Sequence, residues 1–206
     1  MAAPTKLTVF NLAIAMLGQT ELESPDDVGE LGDKLRAQWE PALELAFEKG
    51  AWDCAKVRFI LARHPEAPLF GYKYYYTVPP EVTRTLWVSD TGEANDEYLD
   101  WEPEPGKIAT SAEALYLIGV SRAKFEQVGR WSHSLARYVA TELALLAAPK
   151  INPPAAEGIG KERKKCLSDA LGLDAVQGPK KRPRMGSWSR AARGLSRIGG
   201  PGEQGR

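Results

Sequence analysis

The chain has 206 residues, with 27 basic and 27 acidic side chains and hence no net formal charge. A body of about 175 residues buries most of its unfolded surface without help from metal or disulfide, and the lone pairs Cys54/Cys166 and His64/His133 match no zinc or redox spacing. Apolar runs no longer than LALLAA at 143–148 exclude a membrane helix, and Asn11 and Gly18 interrupt the N-terminal apolar stretch that a signal peptide would need, so a soluble intracellular protein with no metal and no cofactor is expected.

TKLTVFNLAIAML, residues 5–17, reads as a helix: Leu7, Phe10, Ile14 and Leu17 recur at helical spacing, Thr5 can cap and Gly18 ends it. A polar linker follows, then DKLRAQWEPALELAFEKG, in which Leu35, Trp39, Leu43 and Phe47 mark one stripe and Gly50 closes. Pro41 lies inside that pattern and predicts a kink or a late start, not two separate helices.

From Ala51 to about Arg122 the period changes. KVRFIL, YKYYYTV, VTRTLWV, EYLDW and ALYLIGV are short aromatic and β-branched runs separated by proline- and glycine-bearing turns. Within YKYYYTV one face holds Tyr72, Tyr74, Tyr76 and Val78 and the other Lys73, Tyr75 and Thr77, the pattern of a half-buried antiparallel strand. Helix returns at WSHSLARYVATELALLAAPK, with Leu135, Val139, Leu143 and Leu146 as its stripe and Pro149 as its stop. A weaker helix over about 155–173 is expected to bury only Cys166, Leu167, Ala170 and Leu171.

Segregated blocks of helices and strands predict an α+β fold: a bundle of about four helices with an inserted antiparallel β-hairpin or sheet region. The expected divisions are a helical domain over 1–55 and 123–176, a β insertion over 56–122, and an extended basic docking arm over 177–206. The arm carries eight basic side chains against Glu203 alone, a charge of +7, which leaves −7 on the body. Its glycine, proline, serine and arginine cannot bury enough surface to fold alone. PKKRPRMGSWSRAARG at 179–194 therefore poses three alternatives: a nucleic-acid arm, a targeting signal, or a strap on another subunit. As a strap its contacts would come from Lys180, Lys181, Arg182, Arg184, Arg190 and Arg193, with Trp188 as the buried anchor.

Catalytic motifs are sparse. No Gly-rich phosphate loop is present, and neither histidine neighbours a nucleophile-elbow sequence; His64 precedes a proline and His133 opens a helix. Glu93, Asp96, Glu97, Asp100, Glu102 and Glu104 supply enough carboxylates for glycoside hydrolysis, yet no neighbouring apolar segment would raise one pKa, and a solvated face is the simpler reading. The tyrosines at 72–76 offer base-stacking faces, but neutral and acidic flanks favour packing, whether within the chain or between subunits. Trp39, Trp52, Tyr72, Tyr74, Tyr75 and Tyr76 are accordingly packing or inter-subunit candidates.

The order and spacing of several segments resemble the head-to-tail adaptor proteins (tail tubular, or portal accessory proteins) of tailed bacteriophages. The segments are LTVFNLAIAMLGQTEL, WEPALELAFEKGAW running into AKVRFILA, PLFGYKYYYTVPPEVTR, the Ala/Leu helix and the closing GSWSRAAR; the likeness covers residues 5–193. It implies a ring of twelve copies beneath the portal protein, in the virion at the head–tail junction, after synthesis in the host cytoplasm. It also implies a C-terminal segment that clamps the portal, a downstream tail or nozzle partner, and double-stranded DNA passing through without specific binding. Such a ring of anionic bodies would carry on the order of −80, which repels a sliding phosphate backbone; Glu93, Asp96, Glu97 and Asp100, or acids of the 21–30 linker, are the candidate channel lining. No enzymatic role is expected on this reading. A basic-tailed nucleic-acid-binding protein is the main alternative, and a muramidase-like hydrolase, since some relatives are linked to cell-wall hydrolysis, the third.

Overall fold

In a computed structural model, which describes residues 2–92 and 99–177, five helices and six strands form among the described residues. The first helix, α1 (Lys6–Met16), starts where the Thr5 hydroxyl accepts the Thr8 amide hydrogen at 3.1 Å, and it ends at Gly18, whose φ of +67° suits a residue without a side chain. Its buried face is Val9, Phe10, Ala13 and Ile14, with Leu17 just beyond. Leu7 sits at the rim of that face, half-buried, because the packed stripe is centred one residue further round. The linker is pinned on both sides. Asn11 exchanges two 3.0 Å hydrogen bonds with the backbone of Leu22, and Arg36 donates to the carbonyls of Pro25 and Asp27.

Helix α2 (Glu30–Lys49) runs through Pro41 as one element. Proline removes an amide donor and crowds the carbonyl four residues back, a loss of about 3 kcal/mol in an isolated helix. Burial of Leu35, Trp39, Ala42, Leu43, Ala46 and Phe47 offsets it. Helix α3 (Arg122–Phe125) is a single capped turn. Helix α4 (His133–Ile151) begins at Ser132, whose hydroxyl accepts the Leu135 amide hydrogen at 3.1 Å. Pro149 does not stop α4. It lies in the last turn, and two further residues follow it before Asn152 caps the end by donating its amide to the Ala148 carbonyl.

Helix α4 packs against α1, α2 and α5 (Ala155–Gln177) together, so burial extends round it to Tyr138, Ala140, Thr141 and Glu142, beyond any single stripe. The predicted Leu146 is only half-buried. On α5 the buried residues are Ile159, Cys166 and Ala170, with Leu167 partly covered. Leu171 stays exposed, one position round from Ala170.

The strands divide into two antiparallel three-stranded sheets. β1 (Lys56–Ile60), β6 (Tyr116–Val120) and β3 (Arg84–Ser89) form one in the order β1-β6-β3; β2 (Tyr74–Thr77), β5 (Lys107–Thr110) and β4 (Trp101–Glu104) form the other in the order β2-β5-β4. Leu117 and Val88 from the first sheet meet Tyr76 and Ile108 from the second in one small core, so the sheets face each other. The helices own a separate, larger core. Chain enters and leaves the strand region side by side: the Ser121 amide donates to the Ala55 carbonyl at 2.9 Å, and Arg84 donates to the Gly50 carbonyl at 2.8 Å.

Of the predicted strand EYLDW, Glu97 and Tyr98 lie outside the described residues; among the described ones, pairing starts at Trp101 and continues through Pro103, which the edge position of β4 tolerates. KIAT, opposite it across the Glu-Pro-Gly turn, supplies the central strand β5.

Gly119 lies on the central strand β6 opposite a bulge in β3 between Thr85 and Trp87. A side chain there would meet Val82 Cγ1 at 2.6 Å and the Arg84 carbonyl at 3.0 Å. Gly119→Ala is expected to destabilise the protein by about 1–3 kcal/mol through overpacking, measured as a lower urea midpoint with an unchanged denaturant slope.

Candidate docking surfaces

The aromatic candidates separate into two groups. Trp39 and Trp52 belong to the helical core: Trp39 meets Phe10 edge-on at 5.4 Å and stacks on Trp131 at 6.3 Å, while Trp52 is fully buried and donates its indole hydrogen to the Ala46 carbonyl at 2.8 Å. Both are intramolecular packing residues. Tyr76 is also core, its hydroxyl donating to the Ala112 carbonyl at 2.8 Å, and the Arg63 guanidinium covers the Tyr74 ring at 3.7 Å. Neither ring is open to a nucleobase.

Tyr75 and Tyr72 behave otherwise. Tyr75 lies on the outer face of β2, and Tyr72 precedes the strand instead of extending its inner face as the alternation predicts. The two line a groove of about 270 Å³ with Pro68, Leu69, Phe70, Gly71, Glu102, Glu104 and Ala109. Tyr75 donates its hydroxyl to Glu104 at 2.8 Å and Tyr72 to Asp100 at 3.1 Å. The hydrogen bond to Glu104 raises the Tyr75 phenol above its ordinary pKa, with nearby carboxylate charge adding to it. Glu102 and Glu104, two residues apart on β4, stand on one face of the sheet beside Ala109 and Lys107. Lys107 is engaged by Glu66 at 3.4 Å and lies over the Tyr75 ring at 5.1 Å. At the rim, Leu69 and Phe70 are 97% and 88% exposed, ahead of Gly71 with φ +86°.

A second apolar surface covers the outer face of the sheet β1-β6-β3. There Arg58, Ile60, Trp87, Tyr116 and Ile118 surround a hollow of about 210 Å³, with Ile60 75% exposed. The register places these residues on one side, since Ile118 is opposite both Arg58 and Trp87, and Tyr116 is opposite Ile60.

Of the predicted channel acids, Asp100 is exposed and tied to Tyr72; Glu93, Asp96 and Glu97 lie outside the described residues. The arm candidates Lys180, Lys181, Arg182, Arg184, Trp188, Arg190 and Arg193 lie outside them too. Linker acids do local work: Asp27 accepts the amide hydrogens of Glu23 and Ser24, both at 2.8 Å.

Cys54 is half-buried, and burial followed by the charge of Asp174 pushes its thiol up to about 12, so the nucleophilic thiolate is scarce at neutral pH. His64 accepts the Glu66 amide hydrogen on Nδ1 at 3.2 Å, and His133 is the exposed first residue of α4. Asp100, Glu102 and Glu104 are all exposed, and Glu102 and Glu104 line the groove beside Tyr75. Among the described residues no group of three His, Cys, Asp or Glu could hold a metal, and no helix is long and apolar enough to cross a membrane.

One ionic feature escaped the sequence reading. Glu142 on α4, 1% exposed, accepts from Arg163 Nε on α5 at 2.6 Å. Tyr138, one turn earlier, has its phenol held well above the ordinary range by burial and by the Glu142 carboxylate. The signal was available as a carboxylate in the middle of an otherwise apolar helix, which must be paired if it is buried. The chain matches no protein-family model and no curated protein.

Proposed function

We propose that the chain is a structural head-to-tail connector of a bacteriophage virion. On this reading copies close into a ring of twelve beneath the portal, extend the DNA channel and receive the tail or nozzle protein. The C-terminal arm reaches the portal, with Trp188 as its anchor. The observation that carries the reading is the apolar surface of the strand region among the described residues: Leu69 and Phe70, exposed at a loop tip, and Ile60, exposed on a sheet face beside the half-buried Trp87, Tyr116 and Ile118. Exposed patches of this kind belong to proteins that assemble. Two unlike patches on one chain also suit a head-to-tail ring, whose subunits meet through different surfaces on their two sides. The order helix pair, antiparallel strands, helix pair supports the likeness to phage adaptors.

Among the described residues, every buried residue of both cores lies between positions 9 and 170. Deleting residues 178–206 is therefore expected to leave the body folded by circular dichroism while abolishing co-sedimentation with the portal protein encoded in the same genome. Trp188→Ala in the full chain should weaken that binding by about 2 kcal/mol or more, as a buried indole anchor does. Undiminished co-sedimentation of the truncated chain would remove the arm from the account.

A further inference from the structure

We propose that the groove beside β4 is the docking site for the basic run Lys180–Arg184 of a second copy of this chain. The groove is built for a cationic, proline-bearing segment. Its floor is aromatic, from Tyr72 and Tyr75; its rim on one side is apolar, from Leu69 and Phe70; on the other stand Glu102 and Glu104, with Asp100 nearby. The tyrosine hydroxyls hold Asp100 and Glu104 in place. Lys107, the cross-strand partner of Glu104, forms its ion pair with Glu66, so Glu102 and Glu104 make no ion pair of their own among the described residues.

The chain itself supplies the matching ligand. PKKRPR at 179–184 alternates proline with Lys180, Lys181, Arg182 and Arg184, and the arm's +7 equals in size the body's −7. Proline-bearing segments enter aromatic-lined grooves in an extended, pre-ordered form. Arginine can meanwhile lie on a tyrosine face and pair with a carboxylate. Leu69 and Phe70, exposed among the described residues, then gain cover.

Reach favours a second copy. Helix α5 ends at Gln177, and Asp174 near its end accepts the Asp53 amide hydrogen at 2.9 Å, at the foot of β1. From there β1 rises about 16 Å to Leu61 before the chain crosses to the sheet that bears the groove. Three residues past Gln177 span at most about 11 Å. Lys180 therefore lies no more than about 11 Å and Arg184 no more than about 25 Å from the end of its own α5, a limit that a neighbour's arm does not share.

The inference rests on the ring reading for its geometry, but its test is separate. Two differently tagged full-length chains, one Leu69→Cys and one Met185→Cys, would be mixed at micromolar concentration under mild oxidation. The expected result is a disulfide-linked heterodimer, reduced at least tenfold by Glu102→Lys with Glu104→Lys on the groove chain or by 1 M salt. The native thiols, one buried and one half-buried, are controlled by the tagged parents. Absence of the heterodimer would overturn the proposal. So would a chain carrying both cysteines that closes on itself at nanomolar concentration. Cross-linking without rings on the portal would retain the groove and remove the connector reading; rings without cross-linking would do the reverse.

Discussion

Trp52→Ala is expected to cost about 3–5 kcal/mol of folding stability, the range for truncating a fully buried aromatic side chain. Trp52 is a keystone between three parts of the chain: α2, α4 and the turn that leads to β1. Its ring lies 6.2 Å from Tyr138 on α4 and against Gly50 at the end of α2, and its indole hydrogen satisfies the Ala46 carbonyl. It also sits just ahead of the Asp53–Ala55 turn from which β1 departs, so the loss loosens the seat of the strand region as well as the bundle. Thermal unfolding should fall by roughly 10 °C. Trp52→Phe, which keeps a ring but leaves the Ala46 carbonyl unpaired, should fall by less. A change in Trp52→Ala within experimental error would show that the bundle does not close over this residue.

Breaking the Glu142–Arg163 pair from either side should give unequal losses. Arg163 retains 35% of its side-chain exposure, against 1% for Glu142. Glu142→Ala leaves a guanidinium that can turn to water, for a loss of about 1–2 kcal/mol. Arg163→Ala strands a carboxylate inside the bundle, for about 3–5 kcal/mol. The double substitution should be less harmful than the sum of the single ones, with the coupling read from a double-mutant cycle in urea. Equal losses from the two single variants would mean that the carboxylate reaches solvent by itself.

Helix positions were legible in the sequence because apolar residues at three- and four-residue spacing are what a bundle needs; Leu35, Trp39, Leu43 and Phe47 are all buried on α2 as the pattern predicts. The antiparallel α+β class followed from the change of period at Ala51 in the same way. Three features were not legible. Periodicity underestimates a central helix such as α4, where burial on several sides erases the single stripe. Strand β5 is only four residues, and Ile108, Ala109 and Thr110 are all buried, so no alternation marks it. The groove was hidden because its parts lie in three separate stretches: 68–72, 75, and 102–109. The tyrosine ladder foretold an inner and an outer face, and Tyr74, Tyr76 and Tyr75 follow it. Tyr72 departs from it because strand pairing begins only at Tyr74.

The connector reading is tested most directly by electron microscopy of the full-length protein mixed with its own genome's portal, alongside duplex DNA binding by the protein lacking residues 178–206. The account predicts rings of twelve seated on one face of the portal, and DNA affinity of the truncated body no better than roughly 10⁻⁴ M at physiological salt, the weak end of non-specific binding. Portal particles without added density, together with micromolar and salt-sensitive DNA binding by the truncated body, would contradict the connector and establish a nucleic-acid-binding protein in its place.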